Sequence, residues 1–353
     1  MASRPQPREA ILKMEPYVPP TAGRSGKLRL DFNENTVGCS PRVIEALTRS
    51  ATRGFVATYP EYETARQKIA EFLGVTGSQL IFGDGTDELI NAVVHTYIDP
   101  GDEVLMPWPT FTMFRFYTEL VSGVPKRIDY KLPELKFPLE QLIASIDERS
   151  KLICIASPNN PTGDALSLAE IETILDAAGD RAVLIDEAYF EFNGVTAIDL
   201  LPRYPNLFVS RTFSKAYGLA GLRVGCLVSS EENIEQVHKG QSPYSVNSIA
   251  IACALAAVDD QAYVTDYVRK IIEARALICG TLDELEVPYW PSEANLVLMN
   301  LGDRASEICA ALREKDILLR SQTHSIAGAV RVTVGTLDQS VRFLAAFSEV
   351  LGR

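Results

Sequence analysis

Lys215 is the single amine in the stretch SRTFSKAYGLAGLRVG, Ser210 to Gly225, which begins on an apolar run and reaches an arginine at Arg223. A lysine buried there has its pKa lowered by desolvation, and its neutral amine becomes a nucleophile able to form a Schiff base. Asp186 ends the apolar run AVLID, and a carboxylate at the end of a buried strand is costly unless it meets a cation or several donors. Helix capping would also explain Asp186, but not the aromatic Tyr189 beyond Glu187. GDGTDE sets Gly85, Thr86 and Asp87 at the first turn of a helix, where free N–H groups and the helix dipole suit a phosphate. Alone, that segment is only a helix start. ASPNNPTG presents the amides of Asn159 and Asn160 in a turn fixed by Pro158 and Pro161, which an ordinary Asn-Pro turn would also do. A nucleophilic amine, an acid to hold a heteroaromatic nitrogen protonated and a phosphate clasp together describe the demands of pyridoxal phosphate.

Other chemistries find less support. GDGTDE is not G-x-G-x-x-G, because Glu88 holds the third glycine's place, and neither a P-loop nor a G-x-S-x-G elbow occurs. A formal charge of −12 over 353 residues argues against a nucleic-acid surface, but it leaves room for anionic small substrates held by a few buried arginines. The six cysteines (Cys39, Cys154, Cys226, Cys253, Cys279, Cys309) form no C-x-x-C pair and read as reduced thiols in apolar surroundings. His95, His238 and His324 lie far apart in sequence, so no metal site is expected. The N-terminal MASRPQPREAILKMEP lacks a secretory apolar core, and the longest apolar run, 249–258, is too short for a bilayer. The expectation is a cytoplasmic protein with no membrane or nucleic-acid partner.

The elements that must position these residues follow from periodicity. QLIFG, EVLMP, KLICIAS, AVLIDEA, LFVSRT and VGCLVS read as strands covered on both faces. Between them lie a helix over 87–97, with Leu89, Ile90, Val93, Val94 and Tyr97 on one face, and SLAEIETILDAAG with a Ser167/Glu170 capping box. Further upstream, PRVIEALTRSATR places Val43, Ile44, Leu47 and Ala51 on one helical face behind a Ser40 cap. Alternation of strand and helix means an α/β lobe with a mainly parallel sheet. After about residue 248 long helices dominate (249–258, 263–285, 304–315, 338–351), with NLVLMN and VRVTV as strands. The expected division is an N-terminal arm, 1–35, joining a small lobe; a large cofactor-binding domain, 36–247; and a small α/β domain, 248–353.

The segments SRTFSKAYGLAGLRVG, SPNNPTG, DEAYFEF, GDGTDE, DFNENTVGCSP and RVTVGT resemble the class I/II, fold-type-I aminotransferases, and among them most resemble the histidinol-phosphate aminotransferases. The likeness runs from about residue 17 to 351. It implies that Lys215 forms the Schiff base with pyridoxal 5'-phosphate and shuttles the substrate's proton, and that Asp186 pairs with the pyridinium nitrogen. It further implies that Asn160 and Tyr189 hydrogen-bond the phenolic oxygen, and that the Gly85–Thr86–Asp87 turn, Ser214 and Arg223 grip the phosphate. Phe111 would stack on the ring where relatives usually carry Tyr. Tyr59, in TYPEYE, would reach the phosphate of a neighbouring subunit's cofactor, making a homodimer necessary.

For the substrate, the same resemblance implies binding by Tyr17, Asn33, Asn160, Arg320 and Arg331. Two arginines suit a two-substrate enzyme, because bidentate guanidinium contacts serve carboxylate and phosphate alike. The expected reaction is ping-pong transamination between L-histidinol phosphate and 2-oxoglutarate, giving imidazole-acetol phosphate and L-glutamate. Relatives with the same cofactor residues act on aromatic amino acids or decarboxylate threonine phosphate, and SQTHSIAGAV between the two arginines does not choose among them. A non-catalytic cofactor-binding module would call for a basic DNA-binding domain ahead of residue 17, where only a short arm stands.

Overall fold

The computed structural model describes residues 4–353. Strand β1 (Leu28–Arg29) belongs to the N-terminal arm. Seven strands form one sheet: β2 (Leu80–Asp84), β3 (Glu103–Trp108), β4 (Val124–Asp129), β5 (Ser150–Ala156), β6 (Ala182–Asp186), β7 (Leu207–Thr212) and β8 (Val224–Val228). Their spatial order is β2-β8-β7-β6-β5-β3-β4. Only β8 runs against its neighbours, pairing antiparallel with both β2 and β7. The expected mainly parallel sheet is therefore present with one reversed strand. The inner strands β5, β6 and β7 are apolar on both faces because helices cover both sides. The edge strand β4, VPKRID, escaped the apolar-run reading because one of its sides meets water and its burial is patchy.

Local signals set the helix boundaries. Ser167 and Glu170 form the capping box that opens helix Leu168–Ala178. Ser40 accepts from the Arg42 N–H and Pro41 occupies the first position of helix Pro41–Ser50. That helix buries Val43, Ala46 and Ser50, whereas Ile44 is 52% exposed and the helix stops before Ala51. Of the expected face, Val43 is buried and Leu47 packs against the core, whereas Ile44 and Ala51 fall outside it and Ala46 and Ser50 are buried instead, on a helix that packs against helix Ser248–Val258. Helix Gly85–Tyr97 begins two residues earlier than the apolar period indicates, and it buries Leu89, Ile90, Val93 and Val94 completely.

A second, antiparallel sheet has the order β12-β13-β10-β9, from β9 (Tyr289–Trp290), β10 (Leu296–Asn300), β12 (Arg320–Ser321) and β13 (Ala329–Thr333). Between β10 and β12, β11 (Ile317–Leu318) pairs in parallel with β1 of the arm. Helices Gln261–Glu284, Ala305–Glu314 and Leu337–Leu351 pack with one another around this sheet. No helix among the described residues is long and apolar enough to cross a membrane.

Candidate active site

The parallel strands of the large sheet all end at one edge, where ligands of open α/β sheets bind. Beyond the end of β2 come Gly85, Thr86 and Asp87; beyond β3, Phe111; beyond β5, Asn160. Asp186 is the last residue of β6, with Tyr189 three residues on, and Ser214 and Lys215 follow β7. Since β8 is reversed, Arg223 immediately before it lies at the same edge. Thr86, Asp87, Phe111, Asn160, Asp186, Tyr189, Ser214, Lys215 and Arg223 all line one cavity of about 260 Å3. A larger adjoining cavity, about 450 Å3, shares Asp87, Phe111, Asn160, Tyr189 and Lys215 and adds Tyr17, Asn33, Arg320 and Arg331.

Lys215 donates from Nζ to the Phe32 carbonyl at 3.1 Å. Burial, reinforced by Arg331, pushes its pKa down to about 8, so a neutral amine is accessible near neutral pH. Asp186 is 3% exposed and accepts at 2.7 Å from Ser210 Oγ, its cross-strand neighbour on β7. Burial drives its pKa up to about 7, with Asp87 and Glu187 adding to the rise and Ser210 and Lys215 opposing it. A buried carboxyl held by one hydroxyl, with its other oxygen unpartnered among the described residues, is suited to a cationic N–H.

Glu187 follows Asp186 in sequence but turns to the other side of the strand. Its carboxylate meets Arg211 Nε at 2.6 Å and accepts from Thr196 and the Ala197 N–H. This buried pair is satisfied on both sides, so it braces the strand rather than facing the cavity. Asn159 is likewise inward: it accepts from Thr110 Oγ1 at 2.7 Å and donates to the Pro109 carbonyl and Thr162. Of the two amides expected in the turn, only Asn160 reaches the cavity. Asn160 Oδ1 accepts from Arg331 Nη1 at 2.5 Å, which leaves its NH2 as the free donor and couples the smaller cavity to the larger.

The turn after β2 is a backbone cradle. Gly85 has φ +70°, and a Cβ there would lie 2.4 Å from Arg223 Nη2. Arg223 in turn pairs with Asp87 Oδ2 at 3.0 Å. The first-turn N–H groups of helix Gly85–Tyr97 are thus left beside a guanidinium, which is the donor set a phosphate requires. Gly218, just after Lys215, makes room for the 38–39 backbone: its φ is +73° and a Cβ would fall 2.8 Å from the Gly38 carbonyl carbon. Ala220 lines the smaller cavity.

On the substrate side, Arg331 is 6% exposed and also donates from Nη2 to the Asp31 carbonyl at 2.5 Å, while its Nε has no partner. Arg320 is the cross-strand partner of Arg331, and neither forms an ion pair among the described residues. Tyr17 is half exposed at the mouth. Asn33, expected at the substrate, lines the cavity but commits its amide elsewhere: Nδ2 donates to Tyr189 Oη at 2.8 Å and Oδ1 accepts from Thr333. It acts by positioning Tyr189. Tyr59 is the residue not brought to the site; it is 72% exposed and stacks on Tyr244 with centroids 4.5 Å apart.

A sequence model for aminotransferase class I and II matches residues 25–347. The chain belongs to this family. Among similar proteins, the histidinol-phosphate aminotransferase of Bacillus licheniformis is 35% identical over 364 residues, covering 98% of this chain and 99% of that protein. The histidinol-phosphate aminotransferase of Geobacillus sp. (strain WCH70) is 34% identical, with 93% and 91% covered. A crystal structure of the histidinol-phosphate aminotransferase of Sinorhizobium meliloti in complex with pyridoxal-5'-phosphate superposes with a TM-score of 0.91 at 26% identity, covering 99% of each chain. A Thermus thermophilus aspartate aminotransferase variant has the same fold, with a TM-score of 0.83 at 21% identity.

In this aminotransferase several wall residues carry no local sequence signal. Phe32 lies under two guanidinium groups, Arg24 at 4.1 Å and Arg320 at 5.7 Å from its centroid. Gln322 and His324 come from the SQTHSIAGAV segment and line the larger cavity. His324, one of three histidines scattered in the sequence, lies beside Arg320 in the turn after β12. The alternation Arg320–Gln322 is a signal that could have found Gln322, since residues two apart on a strand share a face.

Proposed function

We propose that this aminotransferase uses pyridoxal 5'-phosphate to exchange an amino group between L-histidinol phosphate and 2-oxoglutarate, by a ping-pong mechanism, as a cytoplasmic homodimer in histidine biosynthesis. The observation that carries the reading is the pair Arg320 and Arg331, facing each other across β12 and β13 with no acidic partner, in the cavity that also holds Lys215. The names of the similar proteins support the same substrate. When bound, the cofactor supplies an electron sink for the bond broken at the substrate's Cα. The chain's residues do the rest. Lys215 Nζ would take the substrate's Cα proton and hold it, at a pKa that leaves the amine available. Asp186 would pair with the ring nitrogen, Asn160 and Tyr189 would hold the phenolic oxygen, and Phe111 would pack on the ring. The first-turn N–H groups of Thr86 and Asp87, with Ser214 and Arg223, hold the phosphate, and Tyr59 of a second copy completes that clasp. The arginines orient the substrate anion, and Tyr17 closes over it.

An aromatic amino-acid substrate is the second reading, favoured by the apolar walls from Phe32, Phe111 and Met113. Half-reactions of the loaded enzyme with histidinol phosphate, phenylalanine, tyrosine and glutamate, followed by loss of the cofactor's visible band, separate the two. Histidinol phosphate is expected to react fastest per unit concentration. Reaction with phenylalanine at an equal or greater rate would overturn the assignment.

A further inference from the structure

The anion-binding end of the cavity holds one polar group more than two arginines account for. Gln322 is 7% exposed and lines the larger cavity, yet its side-chain amide has no hydrogen-bond partner among the described residues. Asn33 and Asn159 engage both ends of their amides with protein groups, and Asn160 engages its Oδ1 with Arg331. The Gln322 backbone is fixed from both sides: its N–H donates to the Ala329 carbonyl at 2.9 Å, and its carbonyl accepts from the N–H groups of Ser325 and Ile326. Lying two residues beyond Arg320, whose partner across the ladder is Arg331, it shares their face. An amide on a fixed backbone that opens on the cavity and has no protein partner is placed where a ligand can take up its hydrogen bonding.

The donors present suit one shape of anion better than another. Arg331 has committed Nη1 to Asn160 and Nη2 to the Asp31 carbonyl, and its Nε is enclosed without a partner, whereas Arg320 has no protein acceptor and is the freer of the two guanidinium groups. A carboxylate is planar, with both oxygens within reach of one guanidinium fork; a phosphate monoester presents three terminal oxygens on a tetrahedron, one of them beyond such a fork. His324 adds no third full charge, because burial and Arg320 lower its pKa. We infer that Gln322 is a specificity-determining residue whose NH2 donates to a phosphate-monoester oxygen left over by the two arginines, favouring phosphorylated over carboxylate substrates. This inference rests on the reading of the arginine pair as the substrate's anion site.

The test uses the loaded enzyme and the variants Gln322→Leu, which keeps bulk and removes the donor, and Gln322→Glu, which keeps shape and offers only acceptors. In each, kcat/KM is measured for the histidinol phosphate and glutamate half-reactions, together with inhibition of the glutamate half-reaction by inorganic phosphate. For Gln322→Leu the ratio of kcat/KM, histidinol phosphate over glutamate, is expected to fall by about tenfold or more, with a larger fall for Gln322→Glu. The inhibition constant for inorganic phosphate is expected to rise by about the same factor. Turnover of glutamate by the same preparations shows that they are folded. Equal losses on both substrates, or a ratio and inhibition constant within about twofold of the parent, overturn the assignment. If the parent ignores histidinol phosphate but is inhibited by inorganic phosphate in a Gln322-dependent way, the substrate reading fails and the role of Gln322 stands.

Discussion

Replacing Gly225 by alanine probes the joint between the sheet and the proposed phosphate cradle. Gly225 lies in β8, opposite Gly83 on one side and Thr212 on the other. A Cβ there would be 2.9 Å from the Arg211 carbonyl oxygen, 3.0 Å from the Thr86 nitrogen and 3.1 Å from the Gly85 carbonyl carbon. Carbon contacts settle at about 3.5–4.0 Å, so roughly half an ångström must be found, and all three neighbours are backbone that no rotamer change can move. Arg211 is in the buried middle of the sheet, so the first turn of helix Gly85–Tyr97 is the part that gives way. Overpacking of this kind costs about 1–3 kcal/mol. Expressed in cofactor binding, that is roughly a 5- to 150-fold rise in Kd. The assay is titration of cofactor-free protein with pyridoxal phosphate by visible absorbance, with urea unfolding to apportion any share that appears as lost stability. Gly221→Ala is the matched control: the residue is exposed in the same stretch and a Cβ there meets nothing within 4 Å. If Gly225→Ala binds and unfolds like Gly221→Ala, the argument that this glycine sets the cradle is wrong.

Three further outcomes follow from Lys215, Asp186 and Tyr59. With the Lys215 pKa pushed down to about 8 from 10.5, the rate of cofactor attachment to the cofactor-free protein should level off once pH passes about 8, and a rate still climbing at about pH 10 would contradict this. The same depression means that the stability contributed by neutral Lys215 is present above its unfolded pKa and lost as pH falls through about 8. Asp186, raised to about 7, acts oppositely: its contribution is complete below its unfolded pKa and lost as pH rises through about 7. Urea unfolding of cofactor-free Lys215→Met and Asp186→Asn should therefore show pH dependences that depart from the parent in opposite directions. Tyr59→Phe should weaken cofactor binding by about tenfold without changing unfolding of the isolated chain, where the ring only stacks on Tyr244; unchanged affinity would remove Tyr59 from the neighbouring site.

What the sequence determined by itself was local. Short continuous apolar runs located the inner strands and the 3.6-residue period most helices, and the Ser167/Glu170 pair marked a helix start that the structure reproduces. Among the cofactor-side candidates, Thr86, Asp87, Asn160, Asp186 and Lys215 were legible because each ends or follows a recognisable apolar strand, whereas Phe111, Ser214 and Arg223, and the role of Tyr189, came from the resemblance to the aminotransferases. A strand's end is a local property, and an α/β sheet gathers such ends at one edge. What the tertiary structure decided was every partnership over long separations. Periodicity could not say that β8 runs backwards, that Ile44 faces water while Ala46 is buried, or that Asn33 is taken up by Tyr189. Nor could it distinguish Asn159, consumed inside its turn, from Asn160, bound to Arg331 across 171 residues. The substrate side depended most on this. Arg320, Gln322 and Arg331 become one surface only through the antiparallel register of β12 and β13, and register is fixed by which face the core buries rather than by any short motif.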